Sequence, residues 1–215
     1  MNTKTKRLAM LGMFSAIAYI FTLLARIPIS SVEFLKYDPK DIIIVIAGFI
    51  AGPISAFAIS VVVSLIEAIT ISTTGLIGFV MNVLSTVAFA CTAALIYKKK
   101  RTLGGAIIGL ICGVVLMCGI MLLWNYLLTP LYMTISREVV ATMLLPVFLP
   151  FNLIKGSINA AFAMLIYKPV VKALKTTHLL EGAESKSDVK FSVILVCVLV
   201  IVSSILGILI IRGVI

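Results

Sequence analysis

The chain has 215 residues and a formal net charge of +10, and 62% of its residues are hydrophobic against 12% charged. A soluble domain of this length does not carry that balance, so the composition excludes a water-soluble enzyme and points to a helical protein that crosses a bilayer several times. Its lysines and arginines fall in short clusters between apolar runs, the placement a membrane protein needs, which argues against nucleic acid as a partner.

A helix of about 20 apolar residues crosses roughly 30 Å of hydrocarbon. The apolar runs and their breaks predict spans over 7–27, 41–51, 53–71, 76–97, 103–128, 149–168 and 190–211. The first begins in "MNTKTKRLAMLGMFSAIAYIFTLLA". It has the basic start of a signal peptide, but its long apolar part lacks a small-residue cleavage site, so it reads as a retained span. Within it Ala9, Gly12, Ala16 and Ala18 are small, and Gly12-x-x-x-Ala16 makes a stripe for close helix contact. The second run is short, and only "AGP" divides it from the third, which predicts a tight cytoplasmic turn between the two.

Lys4, Lys6, Arg7, the run Lys98 to Arg101, and Lys168, Lys172, Lys175, Lys186 and Lys190 fall on one side of this topology. That side is predicted to be cytoplasmic and to hold the N-terminus, and seven spans then place the C-terminus outside. The polar stretch "KTTHLLEGAESKSDVK" reads as a cytoplasmic linker, dividing the chain into a bundle over 1–174, a linker over 175–189 and an additional helix over 190–215. His178, in that linker, has no nucleophile or carboxylate constellation beside it and is assigned no catalytic role. Cys91, Cys112, Cys118 and Cys197 lie in apolar segments without paired spacing, as thiols packed in lipid or core, neither disulfides nor metal ligands.

Polar groups inside spans are costly and therefore informative. Glu67, Asn82, Asn125 and Lys155 all fall within about two or three turns of an outer helix end. The first loop, with Glu33, Lys36, Tyr37, Asp38, Lys40 and Asp41, is placed to cap them, so an outward-facing pocket with a lid is expected. Other readings stand beside this one. The loop charges equally suit a solvated Asp-Pro turn, Lys155 could snorkel to the headgroups, and Asn82 and Asn125 could serve as glue between helices.

In "LPFNLIKGSINA", Pro146 and Pro150 predict a helix start just ahead of Lys155, where the positive end of the dipole disfavours a cation. Asn152 and Asn159 lie at i−3 and i+4 from Lys155 on one face, beside Gly156 and Ala160. Two amides and an ammonium on that face complement an imide-like heterocycle. Trp124, Tyr126, Phe151 and Tyr37 offer flat surfaces for its body, and Met117, Met121, Met143 and Met164 read as filler.

The sequence contains no G-x-x-x-x-G-K-[ST], so energy for active transport would come from another subunit or an ion gradient. It also lacks H-E-x-x-H, an acidic pair within a span and a serine with a base, which leaves a membrane enzyme without catalytic residues.

The stretches "EFLKYDPKDI", "SLIEAITISTTGLIGFVMN", "NYLLTPLY" and "LPFNLIKGSINA", in this order over about 160 residues, resemble the substrate-binding S components of energy-coupling factor (ECF) vitamin transporters, in particular the riboflavin-binding kind. The resemblance implies an all-α integral membrane protein: a six-transmembrane-helix bundle with a vitamin pocket near the outer surface. The apparent C-terminal span is additional to that pattern. It further implies that riboflavin is the transported ligand and that a transmembrane coupling subunit docks on the first helix. Two ATP-binding subunits would hydrolyse ATP, with no cofactor or metal held by this chain. Carried over to these residues, Asn125, Asn152 and Lys155 would bond the polar edge of the isoalloxazine, and Lys36, Tyr37 and Asp38 would cap it. Glu67 and Asn82 are further ligand-binding candidates, and Ala9, Gly12 and Ala16 would form the docking stripe, as glycine-to-alanine where the family has alanine-to-alanine. An S component for another vitamin or a flavin nucleotide, or a non-transporting assembly subunit, remains the alternative reading.

Overall fold

The computed structural model describes residues 3–28 and 35–176. The predicted seventh span over 190–211, His178 and Cys197 lie outside the described residues, as do Glu33 and all but the first residues of the linker. Helix α1 (Thr3–Ala25) leads to a two-residue strand β1 (Ile27–Pro28), which pairs antiparallel with β2 (Lys36–Tyr37). There follow α2 (Lys40–Ala51), α3 (Pro53–Thr70), α4 (Gly75–Thr86), a π-turn over Val87–Cys91 and α5 (Thr92–Lys99). The described part closes with α6 (Leu103–Met133), α7 (Arg137–Met143), a second π-turn over Leu144–Phe148 and α8 (Leu149–Thr176).

Five helical rods among the described residues are long and apolar enough to cross a membrane: Thr5–Ala25, Pro53–Thr70, Gly75–Lys99, Leu103–Leu131 and Arg137–Tyr167. The chain is thus an all-α, multi-pass membrane protein. Two of these rods run straight through their π-turns, which the apolar pattern alone does not mark.

The run predicted as a span over 41–51 turns out to be the core. α2 has 12 residues, a rise of about 18 Å, well short of the hydrocarbon thickness. Every residue from Lys40 to Phe49 is buried, as expected of a helix that is apolar all round. It packs on α1, α3, α5 and α8. The predicted tight turn is present: Gly52, at φ +92°, ends α2, and Pro53 opens α3. Only glycine adopts that backbone without strain, and proline at a first helical position gives up no hydrogen bond.

Because the rods run antiparallel in sequence, the C-terminal ends of α1, α3 and α6 and the N-terminal ends of α2, α4 and α7 gather at one end of the bundle. The opposite end is closed by aromatic packing, with the Phe49 ring centroid 4.7 Å from that of Tyr97 and 5.8 Å from that of Tyr167. The hydroxyls of Tyr97 and Tyr167 lie 2.9 Å apart, so these two rings also share a hydrogen bond.

Close packing between rods rests on glycine. A Cβ on Gly113 would stand 2.5 Å from the Phe89 carbonyl oxygen, and one on Gly109 2.7 Å from that of Ala93. Both glycines sit one turn apart on α6, and each lets it lie directly on the backbone of the π-turn and α5. Gly119, on the same helix, has nothing within 4 Å of the equivalent point. Gly113→Ala is expected to lower stability by about 1–3 kcal/mol through overpacking, whereas Gly119→Ala should be neutral or mildly stabilising. Thermal unfolding of the two variants in detergent measures the difference, and equal midpoints would refute the close-approach argument.

Candidate functional site

The gathered helix ends hold a buried cluster of six charges. Lys40, fully buried in the first turn of α2, donates to Glu67 Oε2 of α3 at 2.5 Å and lies 3.6 Å from Asp38 Oδ2. Glu67, also fully buried, accepts in addition from Asn82 Nδ2 at 3.1 Å and from the Thr22 hydroxyl at 3.3 Å. Arg26, just past α1, stands 3.8 Å from Asp38. A second branch centres on Asp41, whose Oδ2 lies 3.4 Å from Lys155 Nζ of α8, while its Oδ1 accepts from the Thr86 hydroxyl at 2.6 Å. Three cations face three carboxylates, so the cluster is neutral as a whole.

Residues 35–39, which lead into α2, are tied into this cluster and form a strap. Tyr37 donates its hydroxyl to Asn159 Oδ1 at 2.8 Å, and Asn159 Nδ2 reaches back to the Asp38 carbonyl at 3.3 Å and to Asp41 Oδ2 at 3.4 Å. Burial pushes the Tyr37 hydroxyl pKa up, with Asp41 and Asp38 adding to the effect, so Tyr37 remains a donor. Burial alone would raise the Asp38 pKa, but Lys40, Lys155 and Arg26 outweigh it and hold this carboxyl below its ordinary range.

Under the strap lies a cavity of about 70 Å³. Arg26, Leu35, Lys36 and Asp38 form its roof. One wall is a face of α4 and the turn before it: Thr74, Ile77, Gly78, Met81, Asn82 and Ser85, spaced by three and four residues. The other wall comes from α6 and α8, through Met121, Asn125, Phe151, Asn152 and Lys155. Asn125 and Asn152 are each steadied by their own helix, donating at 2.7 Å to the carbonyls of Met121 and Phe148.

Several sequence expectations meet in this cavity and others do not. Asn82, Asn125, Asn152, Lys155, Lys36 and Asp38 line it. Tyr37 and Glu67 do not: Tyr37 anchors the strap and Glu67 neutralises Lys40. Asn159, expected to share a ligand-facing surface with Asn152 and Lys155, turns instead to the strap. Phe151 and Met121 reach the cavity, whereas Tyr126 is exposed and Trp124 is half-buried, both away from its lining. The solvated-turn reading of the loop fails, because Asp38, Lys40 and Asp41 are buried. Snorkelling of Lys155 fails as well, since it is 5% exposed and faces Asp41. The helix start expected at Pro150 is absent. The helical path begins at Arg137 and absorbs Pro146 in the π-turn, so Lys155 is compensated by a carboxylate and stands far from any positive helix end. Arg26 and Ser85 line the cavity without having been singled out. The three-and-four spacing along α4 was the available signal for Ser85.

The small stripe on α1 is exposed at Ala9, Gly12 and Ala16, and a Cβ on Gly12 would meet nothing within 4 Å. Ala18, by contrast, is buried against the core.

Comparison with known proteins places this geometry. The family described as "ECF transporter, substrate-specific component" matches residues 6–167. The riboflavin transporter FmnP of Bacillus subtilis (strain 168) is 29% identical over 189 residues, covering 82% of this chain and 99% of that protein. The riboflavin transporter RibU of Staphylococcus aureus (strain TCH60) is 31% identical over 179 residues, covering 80% and 94% respectively. A solved structure described as the S component of a bacterial ECF transporter superposes with a TM-score of 0.68 at 30% identity, over 80% of this chain and 99% of its own.

Removing the central cation should expose the energetics of the cluster. Lys40→Met leaves Asp38 and Glu67 buried without their shared partner, and a loss of about 3–5 kcal/mol is expected. Lys40→Met with Glu67→Leu removes one orphaned carboxylate and should regain part of that loss. Thermal unfolding in detergent compares them. A double variant no more stable than the single one would refute the pairing.

Proposed function

The chain belongs to the substrate-specific components of ECF transporters, and from that membership we propose that it binds riboflavin and mediates its uptake as the S subunit of an ATP-driven complex. The observation that carries this reading is the cavity under the strap, where Asn125, Asn152 and Lys155 converge from two adjacent helices. Two side-chain amides and an ammonium supply donors and acceptors for the alternating carbonyl and imide groups along an isoalloxazine edge. Phe151 and Met121 supply apolar surface for its rings. Riboflavin is also the compound named for the FmnP and RibU relatives. The charge placement supports a cytoplasmic N-terminus, which turns the strap end outward. In that arrangement Lys36 and Asp38 cap the ligand, Tyr37 holds the cap down through Asn159, and Glu67 acts through Lys40 and Asn82.

The cavity's volume is well below the 300–1,000 Å³ usual for small-molecule sites. A tricyclic ligand therefore enters only as Leu35, Lys36 and the α4 face give way, which fits a lid that opens toward the outside. Of Lys36 and Lys40, the two lysines that recognition of a phosphorylated flavin would use, Lys40 is fully engaged by Glu67 and Asp38; only Lys36 lines the cavity, which favours the unphosphorylated vitamin.

The lipid-facing stripe of α1 suits a partner helix, since Ala9, Gly12 and Ala16 present little side chain and permit close backbone contact. The partner in this reading is the transmembrane coupling subunit, with two ATP-binding subunits behind it.

Protein purified in detergent should quench the fluorescence of added riboflavin, and a preparation that neither quenches it nor carries flavin absorbance would refute the function. Asn152→Ala and Lys155→Ala should each weaken binding by about 1–3 kcal/mol, since each leaves a ligand group buried and unpaired. Wild-type affinity in both would move the ligand elsewhere.

Gly12→Leu should leave riboflavin binding intact while reducing co-purification with the coupling subunit. Undiminished recovery of the complex would free α1 of that role.

A further inference from the structure

A second depression lies apart from the cavity under the strap, on the lipid side of the bundle between α6 and α8. This groove measures about 250 Å³ and is almost wholly apolar, with Ile107, Ile111 and Val115 lining it from α6 and Leu153, Ser157 and Ala160 from α8. Ile111 and Val115 are exposed at its rim, whereas Ala160 is buried. The helices meet beneath it at Gly156, where a Cβ would stand 2.9 Å from Met117 Cε. The small side chains of Ser157 and Ala160 keep the groove open above that contact.

Apolar surface in a bilayer does not by itself call for a protein partner, since lipid tails cover it equally well. What singles out an occupant is the rest of this chain. The sequence predicts a further span over 190–211, with no charged residue between Lys190 and Arg212. The family match ends at residue 167, so this segment lies beyond the shared bundle. α8 ends at Thr176, at the end of the bundle opposite the strap, and residues 177–189 join it to the segment. A short connection makes consecutive helices antiparallel neighbours. Ile107 stands about one turn from the start of α6 at that same end, so the groove opens where the segment would enter the bilayer. The first half of the segment, residues 193–202, is branched and apolar at every position but Cys197, and such side chains suit a groove with a serine and an alanine in its lining.

We propose that the segment over 190–211 seats as a transmembrane helix in the α6–α8 groove, antiparallel to α8. Neither riboflavin nor the coupling subunit takes part in this contact. The stripe of Ala9, Gly12 and Ala16 lies on α1, which packs on α2 and α3, so the additional helix leaves it open.

Disulfide trapping in native membranes tests the seat. In a background of Cys91→Ala, Cys112→Ala and Cys118→Ala, the segment carries one cysteine at a time: native Cys197, or Ile194→Cys, Leu195→Cys or Val196→Cys with Cys197→Ala. These four cover every face of a helix. Each is paired with Ile111→Cys or Ser157→Cys in the groove, or with Val62→Cys, exposed on α3 at similar depth. After oxidation with copper phenanthroline and cleavage at a protease site inserted in the linker, the two fragments stay joined only through a disulfide. At least one segment position should join a groove cysteine with a yield about tenfold above Val62→Cys, as a held contact does over chance encounters of a tethered segment. Ser157→Phe, which fills the groove, should lower the yield at Ile111→Cys severalfold. Similar yields at all three sites, none in the groove, or no effect of Ser157→Phe would overturn the seat. Disulfides joining two chains through Ile111→Cys would overturn it too, giving the groove to a second copy.

Discussion

The pairing of Lys40 with Glu67 and Asp38 ties together elements that apolar packing alone would leave free to slide. α2 is apolar around its whole circumference and enclosed on every side, so it has no wet face on which a charge could rest. Its first turn nevertheless begins Lys40–Asp41, and both side chains are carried into the interior. Each must be neutralised there, and the partners come from the strap, α3, α4 and α8. A buried ion pair rarely adds stability over well-packed hydrophobic residues. Here it fixes where the end of α2 stands relative to Glu67 and to Asn82, which belongs to the cavity wall.

The same cluster accounts for the strap. A chain segment crossing the top of a bundle would normally be mobile, having little apolar surface to bury. This one is held by the two-residue ladder of β1 and β2, by Tyr37 on Asn159 and by Asp38 between Arg26 and Lys40. Leu35 and Lys36 consequently lie over the cavity as the part of the strap with fewest polar ties. Opening the site therefore costs polar bonds at its edges, which water can replace once the strap lifts, together with the packing of Leu35 against Val140, Phe148 and Phe151.

Much of this was legible in the sequence. The apolar runs located α1, α3, α6 and the rod of α4 and α5, because a lipid-facing helix must be apolar for its full length. They misjudged α2, where the same composition signals enclosure by protein. The discriminating feature is length: 11 or so apolar residues cannot cross a bilayer. Lys155, Asn152 and Asn125 could be recognised as inward-facing because polar groups in spans have few other places to go. Which partner each would take was not legible. Asp41 meets Lys155 across more than a hundred residues of chain, and Glu67 meets Lys40 across a turn that Gly52 makes possible. The π-turn around Pro146 was equally hidden, since it displaces the expected helix start without altering the apolar pattern.

Lys155 shows how such a site can be held ready without being locked. Its ammonium lies 3.4 Å from Asp41, a contact that steadies the cation at the cavity wall. Asp41 does not depend on it alone, since Thr86 and Asn159 also donate to its two oxygens. A ligand acceptor that draws Lys155 inward therefore leaves behind a carboxylate still hydrogen-bonded at both oxygens, and the cation exchanges one acceptor for another. Lys40 has no such latitude, because Glu67 and Asp38 would both lose their nearest cation. Two lysines with similar burial thus differ in kind: one fixes the architecture, and the other is free to serve a ligand.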